Sequence, residues 1–427
     1  MALKHRLTAL KGKIQEKQEE RSQVVVALDV GTEFVKALVG KFDGEKIEIL
    51  GVGRQRQRLS DMHSGAIADI AGVVENCDKA LTKAEKQSEI GARRAIVGIA
   101  GELVKGSTAT IKYRRPDPDT EISLEEMEVI IHQVQERAHK QAKSRLAWET
   151  GNAEVNIKLV NSAVVSLVID GYKVTNPIGF KGKNIAIQIF TAFAPDLHIG
   201  ALERTANELD LDLIAVAAEP FAVARSMIGT DASNNMSAIL LDVGGGTTDI
   251  AVLEDGGVQG TRMFGIGGRA FTRTIATDLD IDFDLAEDVK LNLGSQKLSK
   301  SKNTAAMRAV RKTLGVWMDG IELGLSEFGQ LDHLPNKLLL CGGGASLEPL
   351  VTALREKDWY KNLPFTRKPS VHLIEPGQVV GIVDTTGKIK DHTYITAMGL
   401  LRVGYDTLET TDDSDSLRDR VNKLLRI

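Results

Sequence analysis

A buried β-branched run that ends in aspartate and then breaks into a Gly/Thr turn occurs twice in this chain, and that repetition constrains the fold more than any other feature. The first copy is Leu28-Asp29-Val30-Gly31-Thr32; the second is Leu241-Asp242-Val243-Gly244-Gly245-Gly246-Thr247-Thr248-Asp249-Ile250. In such turns glycine lets backbone N–H groups approach an anion closely, and hydroxyls supply further donors. Two of them facing one another would form a phosphate clamp. Asp29 and Asp242 each end a predicted strand at the sheet edge where ligands of open α/β folds bind, and a carboxylate beside phosphates is tolerated when Mg²⁺ lies between them. Both are therefore metal-side candidates, with an ordinary hairpin as the plainer alternative for the first copy taken alone.

The surroundings of each copy repeat as well. Val24 to Leu28, Phe34 to Lys41 and Lys46 to Val52 read as three strands with Asp43-Gly44 as a hairpin turn; Ala238 to Asp242, Ile250 to Leu253 and Val258 to Phe264 read as three more, with Asp255-Gly256 in the same place. An internal duplication is the simplest reading. Residues 22–92 form the first lobe's opening part, with a helix over Ile67 to Glu89. Residues 93–195 read as a compact β-α-β-β insert: a strand over Ala95 to Ala100, a helix opening at Ser123 with Glu126 in capping-box spacing, and extended runs over Val155 to Ile169 and Asn184 to Ala194. Residues 196–230 return to the first lobe, residues 231–383 form the second lobe with helices at about 270–330, and residues 384–407 form a helix packing back on the first lobe. At the ends, residues 1–21 carry an apolar stripe of Leu3, Leu7, Leu10 and Ile14, and residues 408–427 combine an acidic linker with a short amphipathic helix.

Composition narrows the function classes. The 427 residues suffice for two or three domains, and the net charge of −4 gives no reason to invoke nucleic acid. Cys77 and Cys341 are too few for a disulfide framework and are expected as small buried side chains in a reducing cytoplasm. No uncharged apolar run approaches the roughly 18 residues of a membrane span. Membrane contact would fall to the termini, where Leu417, Val421, Leu424, Leu425 and Ile427 share one helical face bordered by Arg and Lys. Docking onto this chain or a partner is the alternative use of that helix.

A third glycine run, Gly342-Gly343-Gly344, follows the predicted strand Lys337 to Cys341 and would let a flat base or ribose approach the backbone. Two phosphate turns followed by such a run resemble the succession of motifs in the actin-like ATPase superfamily. From roughly Val24 to Gly404 the chain is similar to the bacterial cell-division FtsA family, on three further features: the insert, the run Asn176-Pro177-Ile178-Gly179-Phe180, and the acidic linker with its terminal helix.

The resemblance implies an α/β, two-lobed actin-like fold of duplicated ribonuclease-H-like domains with a β-α-β-β insert in the first lobe, and ATP with Mg²⁺ as cofactors. It assigns Asp29, Gly31, Thr32 and Lys36 to the first phosphate loop and Gly244, Gly245, Gly246, Thr247 and Thr248 to the second. Glu287 and Lys290 would lie near adenine and ribose, with an i,i+3 surface ion pair as the alternative; Gly343 and Gly344 would touch the adenosine. Glu219, before Pro220, aligns with the acid that polarises the attacking water in the related filament protein MreB, or is an N-terminal helix charge favoured by the dipole. Implied partners are further copies of the chain, a tubulin-like FtsZ protein, and an anionic membrane surface reached through the C-terminal helix. Glu33 departs from the small residue usual after the Gly-Thr: either it turns to solvent or it lowers nucleotide affinity, which leaves hydrolysis less secure than binding. The alternatives are a PilM-like pilus-assembly ATP-binding protein and a small-molecule kinase or phosphatase sharing the clamp.

Overall fold

The computed structural model describes residues 23–43, 46–100, 104–151, 156–229, 235–356 and 358–411. The amphipathic stripe of residues 1–21 and the terminal helix expected over residues 417–427 lie outside them. The first lobe opens as a meander of β1 (Val24–Val30), β2 (Phe34–Phe42) and β3 (Ile47–Arg56), followed by the short hairpin β4 (Met62–His63) and β5 (Ala66–Ile67), helix α1 (Ile70–Ser88) and β6 (Arg94–Ile99). β1 is buried along its whole length and pairs antiparallel with β2 on one side and parallel with β6 on the other. Strands covered on both faces read as continuous apolar runs, as Val24-Val25-Val26-Ala27-Leu28 does.

The strand expected to open the insert is thus a member of the first lobe's sheet. The insert begins one strand later, with β7 (Lys105–Arg114), and continues through α2 (Leu124–Thr150), β8 (Ile157–Ile169), β9 (Tyr172–Lys173) and β10 (Asn184–Pro195). β7 escapes a hydrophobic-pattern reading because only Ile111 and Tyr113 of its ten residues are large and apolar, both half-buried against the insert's core, and its one fully buried position is Gly106. Ser123 caps α2 as its spacing predicts, accepting a bond from the Glu126 N–H. Ile122, Met127, Ile130 and Ile131 of this unit pack on Ile185, Ile187 and Ile189 to form its own apolar core.

The chain then returns through α3 (Asp196–Glu208), β11 (Asp212–Ala218) and α4 (Glu219–Ile228), and the distant β17 (Ile382–Asp384) completes the six-stranded order β11-β6-β1-β2-β3-β17. The second lobe repeats the plan with β12 (Ala238–Val243), β13 (Thr248–Glu254) and β14 (Gly257–Phe264), helices α5 (Gly268–Leu279), α6 (Phe283–Leu291) and α7 (Lys300–Ser326), then β15 (Lys337–Cys341), α8 (Glu348–Glu356) and β16 (Ser370–Leu373). Its strand order, β16-β15-β12-β13-β14, matches the first lobe's β11-β6-β1-β2-β3 strand for strand, including the parallel pairing of β12 with β15. The hairpin between β13 and β14 turns on Asp255 (φ 50°) and Gly256 (φ 74°), as Asp-Gly predicts. This is the duplicated, two-lobed actin-like architecture.

Two boundaries move. β17 (Ile382–Asp384) pairs parallel with β3, so the chain re-enters the first lobe before residue 384, and helix α9 (Ile395–Thr411) runs four residues into the stretch expected as a solvated linker. α9 lies against α4 and β1, which carry Glu219 and Asp29. The two helices approach so closely that a Cβ at Gly399 would stand 2.1 Å from the Ala222 carbonyl oxygen. Arg225 and Arg402 both bind Asp406 beside this contact, at 2.5 and 3.0 Å. Gly399→Ala is expected to separate α9 from α4 and destabilise the chain by about 1–3 kcal/mol, the usual cost of overpacking. An unchanged urea midpoint would show that the close approach is not needed.

Candidate functional site

The carboxyl ends of β1 and β12 face each other across the interlobe cleft. Beneath them lies a cavity of about 1180 Å³ lined by both glycine turns, by Glu219, and by residues of α5, α6 and the third glycine run. The turns meet: a Cβ on Gly246 would fall 2.6 Å from the Thr32 hydroxyl oxygen, and one on Gly245 would fall 2.8 Å from the Glu33 Cβ. Each turn therefore needs its glycines where the other lobe presses on it. The second turn is also held from behind, since the N–H groups of Gly268 and Arg269 donate to the carbonyls of Gly244 and Gly245 at 2.9 and 2.8 Å.

The duplicated hairpins place their charges in equivalent registers. In the first lobe Asp29 stands opposite Lys36, and the ammonium binds the carboxylate at 2.7 Å. In the second lobe Asp242 stands opposite Asp249. Like charges directly across a strand pair repel, and here both are buried. The Thr396 hydroxyl donates to Asp242 Oδ2, and Thr247 donates to Asp249 Oδ2 at 3.2 Å, but Asp249 Oδ1 is buried with no hydrogen-bond partner.

The electrostatics follow from that imbalance. Burial, then Asp29, Asp249 and Asp242, push the Glu219 carboxyl well above its ordinary range; burial and Asp242 do the same to Asp249. Asp242 is also raised by burial, with Thr396 and Lys36 pulling it back. Burial works against the Lys36 charge, but Asp29, Asp242 and Glu219 outweigh it and raise its pKa above the ordinary lysine value. A surplus of buried carboxylates around one ammonium suits an added divalent cation. Among the described residues no three acidic, His or Cys side chains converge tightly enough to cage an ion, so Mg²⁺ would be held here largely through water and phosphate oxygens, its usual habit. Asp29 and Asp242, at the ends of β1 and β12, are the carboxylates that would face such an ion.

Most residues nominated from the sequence line the cavity: Asp29, Gly31, Thr32 and Lys36 from the first lobe, Asp242, Gly244, Gly245 and Thr247 from the second, with Glu219 between them. Thr248 does not. Its hydroxyl donates to the Ile266 carbonyl at 2.7 Å and accepts from the indole of fully buried Trp317 at 2.9 Å, because alternation along β13 turns it into the lobe core. Gly246 acts by packing on Thr32 and is not among the cavity's lining residues.

Glu287 and Lys290 form the i,i+3 ion pair at 2.8 Å, yet they are half-buried rather than exposed and also face the cavity. Lys290 further donates to the Gly268 carbonyl and the Thr272 hydroxyl, fastening α6 to the first turn of α5. In the third glycine run Gly343 has open space where a side chain would stand, as an approaching ligand requires, whereas Gly344 packs on Val243. The indispensable member is Gly342, counted in the run but not assigned an adenosine contact: its φ is +82°, and a Cβ there would come 2.1 Å from Asp242 Oδ1. Glu219 is the first residue of α4, buried and inside the cleft, so its two readings coincide in one position. Thr396 was missed because nothing in Tyr394-Ile395-Thr396 marks a hydroxyl that reaches an aspartate 154 positions away. Cys77 and Cys341 are buried free thiols as expected, the former with its pKa pushed up to about 12 by burial.

The acid–base arrangement carries a pH signature. For Glu219, Asp242 and Asp249 the folded pKa lies above the unfolded one, so the folded chain binds more protons between the two values. Their stabilising contribution is complete below the ordinary values near 4 and is lost as pH rises through the raised ones. Lys36, also raised, keeps its contribution throughout that window. Thermal melts of the ligand-free chain are expected to shift downward from pH 5 to 8, and Asp249→Asn is expected to flatten that slope. A slope unchanged by the substitution would contradict the electrostatic reading of the site.

Comparison with known proteins agrees with this geometry. The family model for cell division protein FtsA matches residues 239–399. Cell division protein FtsA of Pseudomonas aeruginosa is 24% identical over 408 residues, covering 90% of this chain and 90% of that protein. Its counterpart from Bacillus subtilis is 26% identical over 278 residues, covering 64% of this chain and 58% of that protein. Among solved structures, the PilM-PilN type IV pilus biogenesis complex superimposes with a TM-score of 0.65 at 16% identity, covering 89% of this chain and 98% of that one, a likeness of fold. The resemblance to the FtsA family read from the motifs is borne out over most of the chain.

Proposed function

Taking kinship with the cell-division FtsA family as the premise, we propose that this chain is an actin homologue that binds ATP with Mg²⁺ in the interlobe cleft and works as a membrane-tethered scaffold in cell division. The observation that carries nucleotide binding is the meeting of two glycine turns, one per lobe, over a surplus of buried carboxylates that the single Lys36 ammonium does not balance. Mg²⁺ would supply the missing positive charge and bridge to phosphate oxygens. Lys36, Thr32 and Thr247 then bind and orient the phosphates, while Glu287, Lys290 and Gly343 border the part of the cavity left for the nucleoside.

Glu219 would orient a water for hydrolysis, but burial and three aspartates raise its pKa and so disfavour the carboxylate form that this role needs, an effect that added positive charge would oppose. Turnover is accordingly expected to be slow. Self-association would depend on the relative angle of the lobes, which the bound nucleotide sets. Attachment to an anionic inner membrane face is assigned to the amphipathic segment after Thr411, and the tethered partner to a tubulin-like FtsZ protein. The FtsA relatives, which share sequence along most of the chain, favour this reading over a pilus-assembly role.

Calorimetric titration with MgATP is expected to give saturable binding, and Asp242→Asn to weaken it about tenfold or more, the scale on which polar groups around a metal act. No heat from the native chain would refute the clamp. For the membrane assignment, vesicles containing anionic lipid are expected to sediment the intact chain and to leave a chain ending at Thr411 in solution. Equal sedimentation of the two would move the anchor elsewhere.

A further inference from the structure

Of the two courses expected of it, a turn to solvent or a lowered nucleotide affinity, Glu33 does not take the first. Its carboxylate does not turn to solvent, nor does it point bare into the clamp. Oε1 accepts from Arg56 Nε and Oε2 from Arg269 Nε, both at 2.7 Å, with the side chain largely buried. Arg56 ends β3 on the first lobe and also reaches Asp284 of α6 on the second, at 3.2 Å. Arg269 belongs to the first turn of α5 on the second lobe. Arg269, Glu33, Arg56 and Asp284 therefore form a ladder of alternating charge that crosses the cleft twice at the level of the phosphate turns.

Arg269 is the informative member. It is only 5% exposed and lines the same cavity as both turns, and one terminal nitrogen, Nη2, is buried without any partner. An orphaned guanidinium donor costs free energy in the closed protein and marks a place where an anion would be better accommodated.

We propose that Glu33 is a built-in competitor for an anion site formed by Arg269: its carboxylate latches the two lobes together in the ligand-free chain and must release Arg269 when the phosphates of a nucleotide enter. The proposal rests on the nucleotide reading of the cleft and adds a cost of entry particular to this chain. The latch is local, since Arg56 and Asp284 at its outer end are exposed and contribute little, whereas the inner Glu33–Arg269 pair is shielded from water.

Two measurements test it. Spin labels at Asp78→Cys on α1 and Lys297→Cys beyond α6 report cleft width, since both positions are exposed and the native thiols are buried. In the ligand-free chain Glu33→Gln is expected to lengthen or broaden the distance distribution. Calorimetry with MgATP is expected to show Glu33→Gln, and Glu33→Ser, binding about tenfold more tightly than the native chain, the scale of one charge-assisted bond no longer to be displaced. An unchanged distance distribution overturns the latch, and equal or weaker binding by both variants overturns the competition. If no variant and not the native chain binds MgATP, the nucleotide reading falls and the competition with it, while the distances still decide the latch. Circular-dichroism melts identify a variant that fails to fold, and Glu33→Gln, which keeps the shape of the side chain, guards against that outcome.

Discussion

The repulsion between Asp242 and Asp249 is the constraint on which the site depends. Both lobes build the same hairpin from a buried strand, a turn of five or fewer residues and a returning strand, and both place a charged pair across it at the same register. The first lobe fills the returning position with Lys36 and neutralises its aspartate. The second fills it with Asp249 and does not. A fold that retains a buried like-charge pair at the mouth of a cavity carries a cost that packing alone does not explain, and positive charge from outside would relieve it. Lys36 serves in part as a shared cation, which is why its pKa rises despite burial.

How much of this was legible in the sequence depends on the range of the interaction involved. The duplicated strands, the Asp255-Gly256 hairpin, the Ser123 cap and the glycine turns are written in residues a few positions apart, and the structure has them where the pattern puts them, while Gly44 of the first Asp-Gly pair lies outside the described residues. The start of the insert was misplaced because β6 is apolar enough to be read anywhere, while β7 offers only Ile111 and Tyr113 as large apolar residues and is fixed by backbone pairing with β10 and β14. Thr248 was assigned to phosphate because a run of two threonines gives no sign of which one the pleat turns inward. Glu33 was visible as an anomaly, but its resolution lies in Arg269, 236 residues further along.

The glycines of the site answer two different needs, and only one of them is about ligands. Gly245 and Gly246 are compelled by the opposite lobe, whose Glu33 and Thr32 occupy the space of their missing side chains. Gly342 is compelled by Asp242. Among the glycines of the two turns and the third run only Gly343 faces open volume, so it is the position there where a base or sugar could lie against bare backbone. A glycine-rich motif thus reports closeness of chain to chain as readily as closeness of chain to nucleotide, and geometry is needed to tell them apart.

Where the lobes are joined determines how such a cleft can work. On one side the connection is stiff: β7 of the insert hydrogen-bonds β14 of the second lobe, making one nine-stranded sheet, and Arg262 donates to the Gly106 carbonyl across the seam at 3.1 Å. At the base, Thr396 holds Asp242 and the Gly342 N–H donates to the His392 carbonyl at 3.2 Å. Backbone pairing and buried hydrogen bonds of this kind do not lengthen gradually; they persist or break. The ion-pair ladder at the phosphate turns is different, because its outer members are exposed and can exchange their partners for water at little cost. Movement between the lobes is therefore channelled to the side where the turns meet, so any charge that enters between Asp249 and Arg269 acts at the point of greatest compliance.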